Sequence, residues 1–258
     1  MSVISDICKT FTPYYMHIIK VDAIDSTNTF LKDLNREKNL VTSVCVTANE
    51  QKAGKGQMGT VWQSNYAENL TCSVFIPVEG LKLEDQFFVS IVTSLAICDT
   101  LKNLLIPKIS IKWPNDILSD RLKICGVLIE NLVKNGRLSG AIIGIGLNIN
   151  QIKFDNLPQA GSLKLVSGQN FNIEEVLNLL LKNIENGFSK LNPLNFKYLR
   201  DEYHSLLFRK NKPSTFLDTE GNSFVGIIQA ITNEGKLQVL LEDEILEDYD
   251  LKEIKLLY

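Results

Sequence analysis

The sequence predicts an α+β fold built on a mixed central sheet flanked by helices. Three observations carry that expectation. Helical and strand periodicities interleave through the first 210 residues without regular βαβ units. The segments Ile124 to Val133 and Leu138 to Ile149 are dense in Ile, Leu and Val, as buried central strands are. Beyond Pro213, short β-rich runs are broken by Glu220-Gly221-Asn222 and Asn233-Glu234-Gly235. The change of texture predicts two domains, 1–210 and 211–258, the second a small β-barrel docked on the first.

In chain order, Tyr15 to Val21 reads as a strand, and Asp25-Ser26-Thr27 supplies N-cap chemistry for a helix with Phe30, Leu31 and Leu34 on one face. Thr42 to Ala48 and Leu70 to Pro77 are β-rich and flank a glycine loop, Gly54 to Gly59. From Glu84 to Leu105, apolar residues recur at helical spacing. Ile109 to Trp113 is a short strand stopped by Pro114, which places Asn115 and Asp116 on a loop. Lys134-Asn135-Gly136-Arg137 closes a hairpin between the two apolar strands. Helical periodicity returns from Ile173 to Leu191 and from Phe196 to Phe208.

Composition narrows the function classes. Hydrophobic residues make up 45% of the 258, and the net charge is only -3, so disorder and a broad electrostatic footprint for nucleic acid are both disfavoured. The five cysteines (Cys8, Cys45, Cys72, Cys98, Cys125) form no C-x-x-C pair, and the two histidines are His17 and His204, so a zinc or His-based metal site is not expected. Scattered cysteines suit a reducing cytoplasm. No signal segment opens the chain and no run of about 18 apolar residues occurs, so a cytoplasmic protein without a membrane partner is expected.

Gly54-Lys55-Gly56-Gln57-Met58-Gly59 fits G-x-G-x-x-G, yet Thr60-Val61-Trp62 is a poor helix opening, so the dinucleotide-binding reading fails its context. No Walker loop occurs. The glycines, Lys55 and Gln57 instead form a donor-rich strip suited to a phosphate or carboxylate, able to fold over a ligand.

Four segments in order then become specific: Asp25-Ser26-Thr27-Asn28; Glu50 through Gly59, ending at Trp62; Lys112-Trp113-Pro114-Asn115-Asp116 with Lys123 to Glu130; and Gly144-Ile145-Gly146-Leu147-Asn148-Ile149-Asn150. Together they resemble the biotin protein ligases. The resemblance implies a fold related to class II aminoacyl-tRNA synthetase catalytic domains, with an SH3-like β-barrel at the C-terminus. It implies that biotin and ATP, with Mg2+, give biotinyl-AMP, and that biotin passes to a lysine of a biotin carboxyl carrier protein.

By the same resemblance, Lys123, Asp116 and Lys112 are the catalytic candidates. Ser26, Thr27, Gln51, Gly54, Lys55 and Gly126 would bind biotin. Lys55, Gln57, Trp62, Asn115, Lys123 and Asn148 would bind ATP and the adenylate. Hydroxyls and an amide suit a ureido ring, which offers donors and an acceptor. Cations suit a carboxylate meeting a triphosphate. Each has a plainer role open to it: helix capping for Ser26 and Thr27, a core ring for Trp62, a hydrogen-bonded turn for Asn148. The metal ligands are not assigned. Where many members carry arginines in the glycine loop, this chain has Lys55, Gln57 and Met58, so bidentate anion contacts are lost there. Members with repressor activity carry an N-terminal DNA-binding domain; here the first strand starts near Tyr15, so no specific DNA binding is expected. A homodimer through sheet edges is compatible with the resemblance. A lipoate or octanoate ligase of the same fold, or a non-catalytic ligand-binding protein, are the competing readings.

Overall fold

The computed structural model describes residues 16–258, so Cys8 and Tyr15 lie outside the described residues. The main sheet has seven strands: β1 (His17–Ile24), β2 (Val44–Gln51), β3 (Leu70–Pro77), β4 (Ile109–Lys112), β5 (Asp116–Ser119), β6 (Leu122–Lys134) and β7 (Arg137–Leu147). Their order is β1-β2-β3-β7-β6-β5-β4. β1 pairs parallel with β2 and every other neighbour is antiparallel, so the sheet is mixed. Among the described residues five α-helices accompany it: α1 (Thr27–Lys38), α2 (Phe87–Asn103), α3 (Leu163–Ser167), α4 (Ile173–Ser189) and α5 (Phe196–Ser205).

Strand alternation sorts side chains onto two faces. Val44, Val46, Phe75 and Ile142 point to one face and pack with Leu31 of α1. Their neighbours Cys45, Val74, Ile76, Ala141 and Ile143 point to the other, where α2 and α4 close the larger core. α2 is apolar on nearly all sides because it lies between the sheet and α4 and α5. Ser26 caps α1, its Oγ accepting from the Thr29 N–H at 3.4 Å, and Asn39 ends the helix in the left-handed region at φ 46°. The β6–β7 turn has Asn135 and Gly136 both at positive φ, 53° and 73°, the geometry that Asn-Gly favours in a tight hairpin.

The sequence reading missed two elements and misplaced one residue. The strand β5 and the five-residue α3 were not expected. Asn115 lies in a turn, but Asp116 opens β5, paired with Lys112 on one side and Gly126 on the other.

The C-terminal strands are β8 (Pro213–Asp218), β9 (Ser223–Ile231), β10 (Leu237–Leu240), β11 (Leu246–Tyr249) and β12 (Ile254–Leu257). They form an antiparallel sheet in the order β11-β10-β9-β8-β12. This corrects the expected barrel, because no ladder joins the edge strands β11 and β12. The physical reason lies in what covers the inner face. Phe216, Ile228, Ile231, Leu237, Val239 and Ile254 share one buried core with the main body, so the sheet buries its apolar side without curling shut. Side-chain ties hold the contact: Trp113 Nε1 donates to the Gly235 carbonyl at 2.8 Å, the Ile231 N–H donates to His204 Nε2 at 2.9 Å, and Gln159 Nε2 donates to the Tyr258 carbonyl at 2.6 Å.

Candidate active site

A cavity of about 630 Å³ opens between the main sheet, the glycine loop and the small sheet. At one end, the β4–β5 turn and the start of β6 bring three charged side chains together. Lys123 Nζ lies 2.7 Å from Asp116 Oδ1, and Lys112 Nζ lies 3.5 Å from Asp116 Oδ2. One largely buried carboxylate thus faces two ammonium groups. Burial is the largest influence on Lys112 and lowers its pKa, against the attraction of Asp116; the Lys123 charge pushes it the same way as burial. The Tyr258 ring stands over this ammonium at 5.0 Å.

The backbone around these groups is fixed from both sides. The Asn115 side chain donates to the Val127 carbonyl at 2.5 Å, and the Val127 N–H returns a bond to the Asn115 carbonyl at 3.1 Å. Lys123 gives its N–H to Gln159 O at 2.7 Å and takes one from Gly161 N at 2.9 Å.

The opposite end is built on the cap of α1. Gln51 Oε1 accepts from the Thr27 N–H at 2.8 Å and contacts Thr27 Oγ1 at 3.0 Å. Thr27 Oγ1 lies 2.7 Å from Ser73 Oγ, which donates to Asn28 Oδ1 at 2.5 Å. Asn28 Nδ2 continues to Glu130 Oε2 at 3.3 Å, and Glu130 pairs with Lys32 at 2.6 Å. The hydroxyl and amide end of the cavity is therefore held by a chain of bonds running to the protein surface.

Trp62 lies between the two ends. A Cβ on Gly146 would stand 2.2 Å from its ring and one on Gly126 3.1 Å, so glycine at both positions makes room for the indole. Gly144 plays the same part for Asn28, at 2.4 Å. Lys123 Nζ sits 5.9 Å from the Trp62 ring centre, and the indole N–H is buried without a partner. The glycine loop folds back on itself through Trp62 N–H to Gly54 O at 3.0 Å and Gly56 N–H to Thr60 O at 2.7 Å. Lys55 Nζ donates to Thr29 Oγ1 at 3.0 Å. A single turn of 3-10 helix, Gln57–Gly59, follows rather than an α-helix, so the loop is not a dinucleotide fingerprint.

Of the residues singled out in the sequence, Ser26, Thr27, Gln51, Lys55, Gln57, Trp62, Lys112, Asn115, Asp116, Lys123 and Gly126 line this one cavity. Gly54 and Asn148 do not. Gly54 lies behind the wall, where a Cβ would meet Trp62 O at 2.4 Å. Asn148 is buried beyond the end of β7 and gives its amide to Gly161 O at 2.9 Å, which places it behind Lys123. Asn28, Asp218, Lys252 and Lys255 also line the cavity and were missed. The last three come from the small sheet and the turn before β12, and no local pattern marks them.

The cavity thus carries paired ammonium groups at one end and a hydroxyl–amide cradle at the other. Residues 21–148 match the model of the biotin/lipoate A/B protein ligase family and form a domain of that family. The bifunctional ligase/repressor BirA of Bacillus spizizenii is 30% identical over 170 residues, covering 64% of this chain and 51% of that protein. The chain spans between 38% and 51% of the length of this and three further BirA relatives. It is 29% identical to the biotin–[acetyl-CoA-carboxylase] ligase of Paracoccus denitrificans, over 83% of this chain and 90% of that one. Among solved structures, the biotin protein ligase of Aquifex aeolicus in complex with biotin and ATP superposes with a TM-score of 0.76, at 23% identity, over 94% of this chain and 99% of that one.

Proposed function

We propose that this chain is an ATP-dependent biotin–protein ligase, with its catalytic part in residues 1–210 and a second unit in 211–258. The observation that carries the reading is the Lys112–Asp116–Lys123 cluster in the same cavity as the Thr27–Gln51 cradle and Trp62. In the first step a biotin carboxylate oxygen bonds to the α-phosphorus of ATP. The bond from that phosphorus to the bridging β-oxygen breaks, and pyrophosphate leaves. In the second step a lysine amine of a carrier domain attacks the carbonyl carbon, the carbon–oxygen bond to phosphate breaks, AMP leaves, and the new amide loses a proton.

Both reactants of the first step are anions, so the positive charge of Lys123 and Lys112 offsets their repulsion at the reacting atoms. Asp116 holds the two ammonium groups in place and keeps them from repelling each other out of the cavity. The Thr27 hydroxyl and Gln51 amide orient the ureido ring, and Trp62 gives the adenine a face to stack on. Gly54 and Asn148 act through Gln51 and Lys123, whose positions they support. A magnesium cage built from protein alone does not fit: no group of three His, Cys, Asp or Glu forms among the described residues, and Asp116 is engaged by two lysines. Magnesium would arrive with the triphosphate.

No helix of at least 18 residues among the described ones is apolar enough to cross a membrane. Pyrophosphate release on adding biotin and ATP tests the function. Release with biotin and not with lipoate or octanoate supports it; no release, or preference for lipoate, refutes it.

A further inference from the structure

We propose that a basic groove beside the cavity docks an acidic face of the acceptor domain, a partner that rests on the ligase reading above. The groove has a volume of about 650 Å³ and is rimmed by Lys108, Arg121, Arg209, Lys210 and Lys212, with Asp120 as its one carboxylate. The chain as a whole has 30 acidic and 27 basic side chains, so five against one is a local reversal of sign. Lys108 pairs loosely with Asp120 at 3.6 Å, and Arg209 is spent on Ser214 and the Pro213 carbonyl. Arg121, Lys210 and Lys212 form no ion pair among the described residues.

The backbone holds these cations outward in two pinned turns. Asp120 N–H bonds to Lys108 O at 3.0 Å, and Lys212 N–H to Arg209 O at 3.1 Å. Lys108, Asp120, Arg209 and Asn211 all sit at positive φ, between 50° and 59°. None is glycine, so the chain accepts the steric cost of this conformation four times around one groove.

Position ties the groove to the reaction. Arg121 precedes Lys123 by two residues, and Phe208 lines both the groove and the cavity. A domain held here would rest against the Phe208 wall that the groove shares with the cavity. Nucleic acid is the poorer occupant. Single-stranded binding needs exposed rings for bases to stack on. The groove's one Phe, Phe208, has its ring engaged edge-on with Tyr258 at 5.2 Å. Rim charges of this kind govern encounter and salt dependence.

The test uses the full chain with Arg121→Glu, Lys210→Glu and Lys212→Glu combined. A fluorescently labelled biotin carboxyl carrier domain is titrated in without ATP, so binding is read apart from catalysis. The proposal expects the variant to bind about tenfold or more weakly at low salt, with the difference shrinking at high salt. Pyrophosphate release without the carrier should be unchanged, as should capture of biotin by hydroxylamine, which needs no docking. Unchanged carrier binding, or tighter and competitive binding of a fluorescent single-stranded oligonucleotide, overturns the proposal. Loss of pyrophosphate release in the variant overturns it too, since the cations would then serve the first step. Absence of pyrophosphate release from the unmodified protein would instead refute the ligase reading, and carrier binding would still decide the groove.

Discussion

The floor and the lip of the cavity are held by different means. The floor is ladder. Lys112, Asp116 and Lys123 stand on β4, β5 and β6, and each neighbouring backbone segment is hydrogen-bonded to a further strand or loop. The lip is the glycine loop, which is held mainly by bonds to itself and by one lysine tether to α1. The difference teaches where each kind of chemistry can be placed. Groups that stabilise charge at the reacting atoms gain from being fixed before the substrate arrives. A segment that must admit a ligand and then exclude water gains from having few bonds to break.

Breaking the floor is expected to have the largest effect. Lys123→Ala removes one of two ammonium groups while leaving the ladder intact, because the bonds that hold its backbone do not involve the side chain. Pyrophosphate release should fall on the order of 100- to 1000-fold, with an unchanged circular dichroism spectrum. A folded variant that releases pyrophosphate at close to the native rate would remove Lys123 from the reaction.

The next effect tests whether the floor depends on the small sheet. Trp113 stands between Lys112 and Asn115, and its indole N–H is the partner of the Gly235 carbonyl. Gly235 has φ 95°, and a Cβ there would lie 2.3 Å from Phe87, so the turn cannot move closer to compensate. Trp113→Phe keeps a ring but strands the carbonyl, at a cost of about 1–3 kcal/mol. Urea unfolding should show that loss, together with a lower kcat for biotinyl-AMP formation. A loss of stability without any change in kcat would show that the tie is structural and does not position the lysines.

A smaller effect concerns pH. Burial, first, and then the charges of Lys210 and Arg200 lower the pKa of His204. Its Nε2 must be unprotonated to accept from Ile231. The folded value therefore lies below the unfolded one, so the stabilisation is fully present above the ordinary histidine value and is lost as pH falls through the lowered one. Relative to His204→Gln, which can still accept and does not titrate, the native chain should lose Tm as pH falls from about 7.5 to about 5. Parallel melting curves across that range would show the tie to be insensitive to charge.

Much of this floor could be read from the sequence, and the reasons are local. Leu70–Pro77 is β-rich and bounded by turns, so its strand is recovered with its ends. Asn135-Gly136 names its own turn. What escaped depends on distant partners. β5 is four residues long and exists because β4 and β6 flank it. Lys252 and Lys255 reach the cavity because β12 pairs with β8, thirty-odd residues earlier in the chain. Barrel closure turns on whether two edge strands meet, which alternation does not encode. Asn148 shows the limit of a motif: the residue type says an amide is needed, and only the fold shows that it is turned toward Gly161.

The smallest expected effect is at the lip, and it sharpens the comparison most. Three glycines in six residues make ordering costly, about 1–2 kcal/mol for each backbone residue fixed. Against this the loop has three backbone bonds within itself and the Lys55–Thr29 contact, whose donor is exposed. A biotinyl-AMP in the cavity would add an anion for Lys55 and the loop N–H groups, and a ring for Trp62, so binding should shift the loop toward its folded state. Lysine and glutamine in place of arginine lack the bidentate contact, so the gain should be modest. Amide exchange between Gln51 and Trp62 should be fast in the free protein and slowed about tenfold by biotin with ATP, while exchange in β3 and β7 is slow in both. The ladder strands serve as the internal standard, because global stabilisation by ligand slows them as well. Slowing confined to the loop identifies local closure. Equal slowing in loop and ladder would mean that lip and floor open together, and the distinction between them would fall.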